Sequence, residues 1–359
     1  MKKRAAIGLT IVMAFALLAC SSEPRNAESK SYEERLLLNY VLREQSGEFG
    51  VYTNRLDTGQ DAEAATGQEV LSESAGLLLR YYAARTERDA FRDAWTKAKA
   101  TFDQPGGFSY RYAPRLDKRF AANAAVDDLR LIRALFEGAS AFREPGYRKE
   151  AERYGRRFLE HNVKEGNLYD FYDARYKSTN GFLTLCYADF QTIGLLAESI
   201  PAARTLSDRL LRIVEGGYLS DGFPFYETRY EYEQQRYDSD GINMVESLLT
   251  VLALAEIGEQ RDTSISALKE KVREGKLYGR YTKDGEPMND VRSTALYAMA
   301  ALIGREIGDG GLYRDALERM TEFQIQDRAS ALYGGFGDKA TGDAYSFDNL
   351  MALLAYAAD

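Results

Sequence analysis

Gly50-Val51-Tyr52, Gly107-Phe108-Ser109-Tyr110, Gly166-Asn167-Leu168-Tyr169, Gly222-Phe223-Pro224-Phe225-Tyr226, Gly279-Arg280-Tyr281 and Gly335-Phe336-Gly337 recur at intervals of 57, 59, 56, 57 and 56 residues. A fixed period of this length marks a repeated supersecondary unit. Each unit holds two helical patterns. The pattern before the glycine is amphipathic and charged: 32–44, 89–102, 147–161, 207–214, 264–274 and 312–326. The pattern after the glycine loop is apolar on nearly every side: 74–84, 129–142, 188–198, 242–257, 293–307 and 349–358. An amphipathic helix covers a core with one face, whereas a helix apolar all round is enclosed. Strict alternation of the two kinds predicts an all-α protein, an (α/α)6 toroid of six inner and six outer helices. Residues 107–112 and 223–232 read as short hairpin-like loops at its mouth.

The repeat occupies residues 31–359 as a single domain. Ahead of it, Lys2, Lys3 and Arg4 precede an apolar run over 5–19, too short to span a bilayer and of signal-peptide length. The run ends in Leu17-Leu18-Ala19-Cys20, which resembles a lipobox. Residues 1–19 are therefore expected to be a lipoprotein signal peptide. Cys20 is expected to carry the lipid and residues 20–30 to be a tether. The expected location is extracytoplasmic, lipid-anchored to a membrane.

The net charge of -8 argues against nucleic acid as a partner. One histidine, His161, excludes metal sites built from several histidines. No metal or organic cofactor is implied. Cys186 has no disulfide partner in the mature chain, since Cys20 is expected to carry the lipid, and reads as a buried small hydrophobe. Acid–base chemistry, if present, falls to carboxylates, of which there are 55.

The inner helices of such a ring bring their N-termini to one mouth, where acidic caps are also expected for structural reasons. Glu73, Asp127, Asp128, Asp189, Asp238, Asp240, Asp290 and Asp348 stand at or near the predicted starts. The preceding loops supply Tyr110, Tyr172, Phe225, Tyr226, Tyr237 and Tyr281. Acids ringed by aromatic faces suit a sugar chain, and glycoside hydrolysis needs two carboxyl groups.

Three segments are similar to glycoside hydrolase family 8. Val70-Leu71-Ser72-Glu73-Ser74-Ala75-Gly76-Leu77, followed by Phe91-Arg92-Asp93-Ala94-Trp95, resembles the family's Ser-Glu-Gly start. Ala125-Val126-Asp127-Asp128-Leu129 resembles its Asp-Ala-Asp run, in a register ambiguous by one. Tyr237-Asp238-Ser239 resembles its Tyr-Asp-Ala motif, although Gly241 stands where the family has an arginine. The resemblance implies an inverting hydrolase of a β-linked polysaccharide such as a glucan or amino-sugar polymer. It makes Glu73 the general acid and Asp238 the water-activating base, with Asp240 the rival. Asp127 or Asp128 would hold the sugar. Tyr110, Tyr172 and Tyr237 complete the expected substrate-binding set. The rival readings are a non-catalytic polysaccharide-binding lipoprotein and a polysaccharide lyase. A lyase would need basic residues against a uronate, and the mouth offers few beyond Arg111, Arg115, Arg175 and Arg229.

Overall fold

The computed structural model describes residues 30–59 and 64–359. The expected signal peptide, the tether up to residue 29 and Cys20 lie outside the described residues.

Twelve α-helices alternate as the period predicts. The outer helices are α1 (Tyr32–Glu44), α3 (Arg88–Phe102), α5 (Pro145–Asn162), α7 (Pro201–Gly216), α9 (Asp262–Glu274) and α11 (Gly310–Thr321). The inner helices are α2 (Ser72–Ala84), α4 (Ala125–Phe142), α6 (Phe190–Ala197), α8 (Met244–Ala255), α10 (Thr294–Glu306) and α12 (Ser346–Ala357). Contacts run from α2 to α4, α6, α8, α10 and α12 and back to α2, which closes the inner ring. The core reflects the sequence pattern. In α10, every residue from Thr294 to Ala301 is buried, whereas α5 buries Tyr147, Ala151, Tyr154 and Phe158 along one face.

Two predicted helix boundaries move for local reasons. The outer helix expected from residue 207 begins at Pro201, whose fixed φ and missing N–H suit a first turn. The inner helix expected from residue 242 begins at Met244, because the Asn243 side chain accepts the Val245 N–H and caps it.

Inner-to-outer connections are short and gather at one end, the base. Outer-to-inner connections are long and form the mouth. Hairpins are present there at 103–108, 111–119 and 229–238, offset from the expected 107–112 and 223–232, and several ladders also cross between units. Val70–Leu71 pairs with Arg111–Ala113, joining units one and two. Ala122 bridges Asp173, Phe182–Thr184 pairs with Arg229–Glu231, and Ile242–Asn243 pairs with Arg280–Tyr281. Asn54 bridges Tyr345, and Asn54 Nδ2 donates to Asp343 at 2.7 Å, so the last unit is stitched to the first.

A buried ion pair locks the closure at the base. Glu34 of α1, fully buried, accepts Arg85 Nη2 at 2.6 Å, Arg85 Nε at 2.8 Å and the Tyr81 hydroxyl at 2.8 Å. Arg85 also donates to the Tyr356 carbonyl of α12 at 2.9 Å. Removing one partner of a buried pair strands the other charge. Glu34→Ala is therefore expected to cost roughly 3–5 kcal/mol, read as a lower urea midpoint. A change within about 0.5 kcal/mol, typical of a surface site, would remove this pair from the account.

Candidate active site

Glu73 lies in the first turn of α2, placed by the strand before it. Arg111, buried, holds buried Glu69 through its Nε and Nη2 at 2.9 and 2.7 Å. Arg111 is also the partner of Leu71 in the ladder, and Ser72 N donates to the Tyr110 carbonyl at 3.1 Å. The turn that presents Glu73 is thus tied to the second loop on both sides.

The Glu73 side chain is about one quarter exposed (26%). Its carboxyl is pushed up to about 7, first by burial and then by the negative charge of Asp127; Arg130 opposes the rise and Asp348 adds to it. Arg130 Nη1 lies 3.9 Å from Glu73 and 2.7 Å from Asp127. Asp127 also accepts the Ser72 hydroxyl at 3.2 Å. Burial raises the Asp127 carboxyl too, against the pull of Arg130. Two carboxyls sharing one guanidinium cannot both ionise freely. The tie to Arg130 favours charge on Asp127 and leaves the proton on Glu73.

Tyr187 ends a short 3-10 turn, Leu185–Tyr187, and feels Glu73, Asp127 and Asp170. The adjacent Cys186 feels Glu246 and Asp170. This turn joins the Glu73–Asp127 pair to a second group of acids. Glu246 lies in the first turn of α8, half-buried, its carboxyl raised by burial against a hydrogen bond from Thr228. Asp170 is pushed up to about 6 by burial, but both its oxygens are occupied by Thr184, at 2.7 Å from the N–H and 2.5 Å from the hydroxyl.

The other residues expected at the site are placed differently. Asp128 is buried, accepting the Phe108 N–H at 3.1 Å and Asn123 Nδ2 at 3.0 Å. It anchors the second loop and is closed to a ligand. That anchor also explains the repeat's glycine. A Cβ on Gly107 (φ +149) would sit 2.7 Å from the Asp128 carboxylate. Asp238 is not at a helix start. It ends the strand Arg236–Asp238, where Arg229 Nη2 binds it at 2.7 Å and holds its carboxyl below the ordinary value. Asp240 is fully exposed in the following turn, beside Arg280. Gly241, at φ +74, makes that turn in a left-handed conformation an arginine would strain to adopt. The Tyr-Asp-Ala similarity thus falls on a hairpin rather than on α8.

Of the three tyrosines, Tyr110 is tied to the start of α2, its carbonyl accepting the N–H of Ser72, the neighbour of Glu73, with its ring against Phe120. Tyr172 stacks on His161 of α5 at 4.6 Å, and the Tyr237 hydroxyl donates to the Ile213 carbonyl at 2.6 Å. Phe225, Tyr226 and Tyr281 are core residues rather than rim. Cys186 is free and partly exposed, not the buried hydrophobe expected.

The sequence does not single out Glu246, because it suggests a helix start at Asp240 or Ile242, ahead of the cap at Asn243. Asn243 with Glu three residues on is a capping-box spacing that could have found it. No described group of histidine, cysteine and acidic residues has the arrangement of a metal site.

No family profile matches the sequence. "Putative lipoprotein YdaJ" of Bacillus subtilis (strain 168) is 24% identical over 352 residues, covering 97% of this chain and 96% of that protein. Among solved structures, a novel alpha-amylase from Clostridium perfringens superposes with a TM-score of 0.85 at 30% identity, covering 94% of this chain and 99% of the other. Endoglucanase Cel10 of Klebsiella pneumoniae, a family 8 glycosyl hydrolase, gives 0.62 at 15% identity, covering 89% and 98%. A D-mannose isomerase gives 0.66 at 12% identity, covering 93% and 98%.

The raised Glu73 carboxyl has a thermodynamic consequence. A carboxyl whose folded value exceeds its unfolded value takes stability away as pH rises from about 4.5 to about 7. Glu73→Gln is expected to stabilise the protein at pH 8 by about 1–3 kcal/mol and to match it near pH 4, by urea unfolding. Equal effects at both pH values would show that Glu73 is not held protonated.

Proposed function

Because the chain is a glycoside hydrolase family 8-like (α/α)6 protein, we propose that it is an exported, lipid-anchored glycoside hydrolase acting on a glucan. The observation that carries this is Glu73, a carboxyl with a raised affinity for its proton at the mouth of the toroid. A glycosidic oxygen leaves only when protonated, and a carboxylic acid still protonated near neutral pH supplies that proton.

In the proposed step Glu73 donates its proton to the glycosidic oxygen as the C1–O bond breaks. A water on the opposite face of the sugar bonds to C1 and gives its proton to a second carboxylate. We assign that base to Glu246 rather than Asp238. Glu246 lies on an inner helix, half-buried, with no ion pair among the described residues, whereas Asp238 is paired with Arg229. Asp127, with Arg130, holds the sugar at the cleavage site. The products carry one proton each from Glu73 and from water, and exchange with solvent resets both carboxyls.

The family 8 similarity implies a β-linked chain. The relative at 30% identity is an alpha-amylase, and that is the closer likeness in sequence. An α-linked glucan is accordingly the first substrate to try, ahead of β-linked glucans. The lipobox at Cys20 and the similarity to a lipoprotein support the anchor.

Reducing-end release from α-1,4- and β-1,4-glucans tests the reading. The wild-type domain is expected to cut one of them. Glu73→Gln and Glu246→Gln should each lose at least about 10²-fold in kcat. Asp238→Asn should stay within about threefold, as expected of a partly exposed ion pair outside the chemistry. Because Glu73 must be protonated, kcat/KM should fall above about pH 7. Polymer binding without cleavage would replace this reading with a binding lipoprotein, and a lost Asp238→Asn would restore that residue as base.

A further inference from the structure

The chain enters the toroid at the end opposite the mouth. Lys30 forms an ion pair with Glu87, in the turn that follows α2, and its ammonium lies 5.7 Å from the Tyr81 ring. Arg35 Nη1 donates to the Lys30 carbonyl at 2.5 Å. Lys30 also borders a basin of about 910 Å³ with Arg80, Glu137, Arg305 and Asp359, at the C-terminal ends of inner helices. Glu73 opens α2 at the other end. Helix α1, 13 residues long, rises from this base along the outer wall.

We propose that the base of the toroid lies against the membrane and the mouth points away from it. The polymer taken is then one that arrives from the aqueous side, free or extruded, rather than a saccharide still carried on membrane lipid. The proposal rests on the lipid anchor at Cys20. That residue is ten positions ahead of Lys30. Ten residues reach at most about 35 Å when fully extended. To turn the mouth to the bilayer, the tether must climb the outer wall. Helix α1 alone is about 20 Å long, and the mouth loops lie beyond it. That path takes more than half of the extended length before the mouth loops are crossed, and shortens what is left for reaching the bilayer. With the base down, no such climb is needed. The basin carries as many acidic as basic side chains. The tether, not attraction to anionic lipid, sets the orientation.

The test uses the full lipidated chain in phosphatidylcholine vesicles containing an acceptor dye on the lipid headgroup. In a Cys186→Ser background, a donor dye is placed at the base through Arg305→Cys or on a mouth loop through Leu116→Cys. Both positions are exposed. Energy transfer from the base is expected to exceed that from the mouth by at least about twofold. Adding phosphatidylglycerol or salt should leave that ratio unchanged, and inserting about 20 Gly/Ser residues after Cys20 should bring it toward one. Equal transfer from both positions, or more from the mouth, would overturn the orientation while leaving the anchor intact. If Cys20→Ser fails to release the protein from vesicles, the anchor reading falls and the orientation with it. Neither result bears on whether the mouth cuts a glucan.

Discussion

Closing six helical hairpins into a ring forces the inner helices to run the same way, and the rest of the structure follows from that constraint. Their N-termini must then meet at one end. Every long loop must lie at that end and every short turn at the other. The Glu34–Arg85 pair and the Asn54–Tyr345 bridge close the ring at its two faces. Neither is local in sequence: Arg85 reaches on to the Tyr356 carbonyl of α12 and Asn54 bridges Tyr345, so the first unit is tied to the last at both faces.

Convergence of helix N-termini makes the mouth a place where carboxyls are welcome, and most of them serve as structure. Asp189 caps α6, Asp348 accepts the Ala295 N–H at the start of α10, and Asp128 holds a loop. Glu73 differs because its carboxyl has little to bond with. It has a distant guanidinium, an acidic neighbour and partial exposure. Asp127, Ser72 and Arg130 bond to one another and leave the Glu73 side chain about one quarter exposed (26%). A group with no structural task, kept protonated by its surroundings, is what acid catalysis requires.

The ring was legible in the sequence because its signal is repeated six times. A helix apolar on all sides, such as α10, has one explanation, and the period confirms it. Glu73 and Asp127 were legible because they open helices whose starts are marked by Ser72 and by the apolar run after Asp128. Asp238 and Asp240 misled because acidic residues also populate hairpin turns. Only the backbone shows that Gly241 makes a left-handed turn and that α8 waits for Asn243. The loop aromatics misled for a related reason. Phe225 and Tyr281 follow the repeat glycines, yet both are buried in the core. Periodicity finds a residue's unit but not the face it turns to.

Glu73 is expected to hold its proton well above the ordinary carboxyl range, up to about pH 7. Difference infrared titration of the wild-type protein against Glu73→Gln reads this carboxyl directly, through its protonated C=O stretch. The account predicts a band that disappears with a midpoint at about pH 7. A midpoint near the ordinary glutamate value of about 4.3 would contradict it.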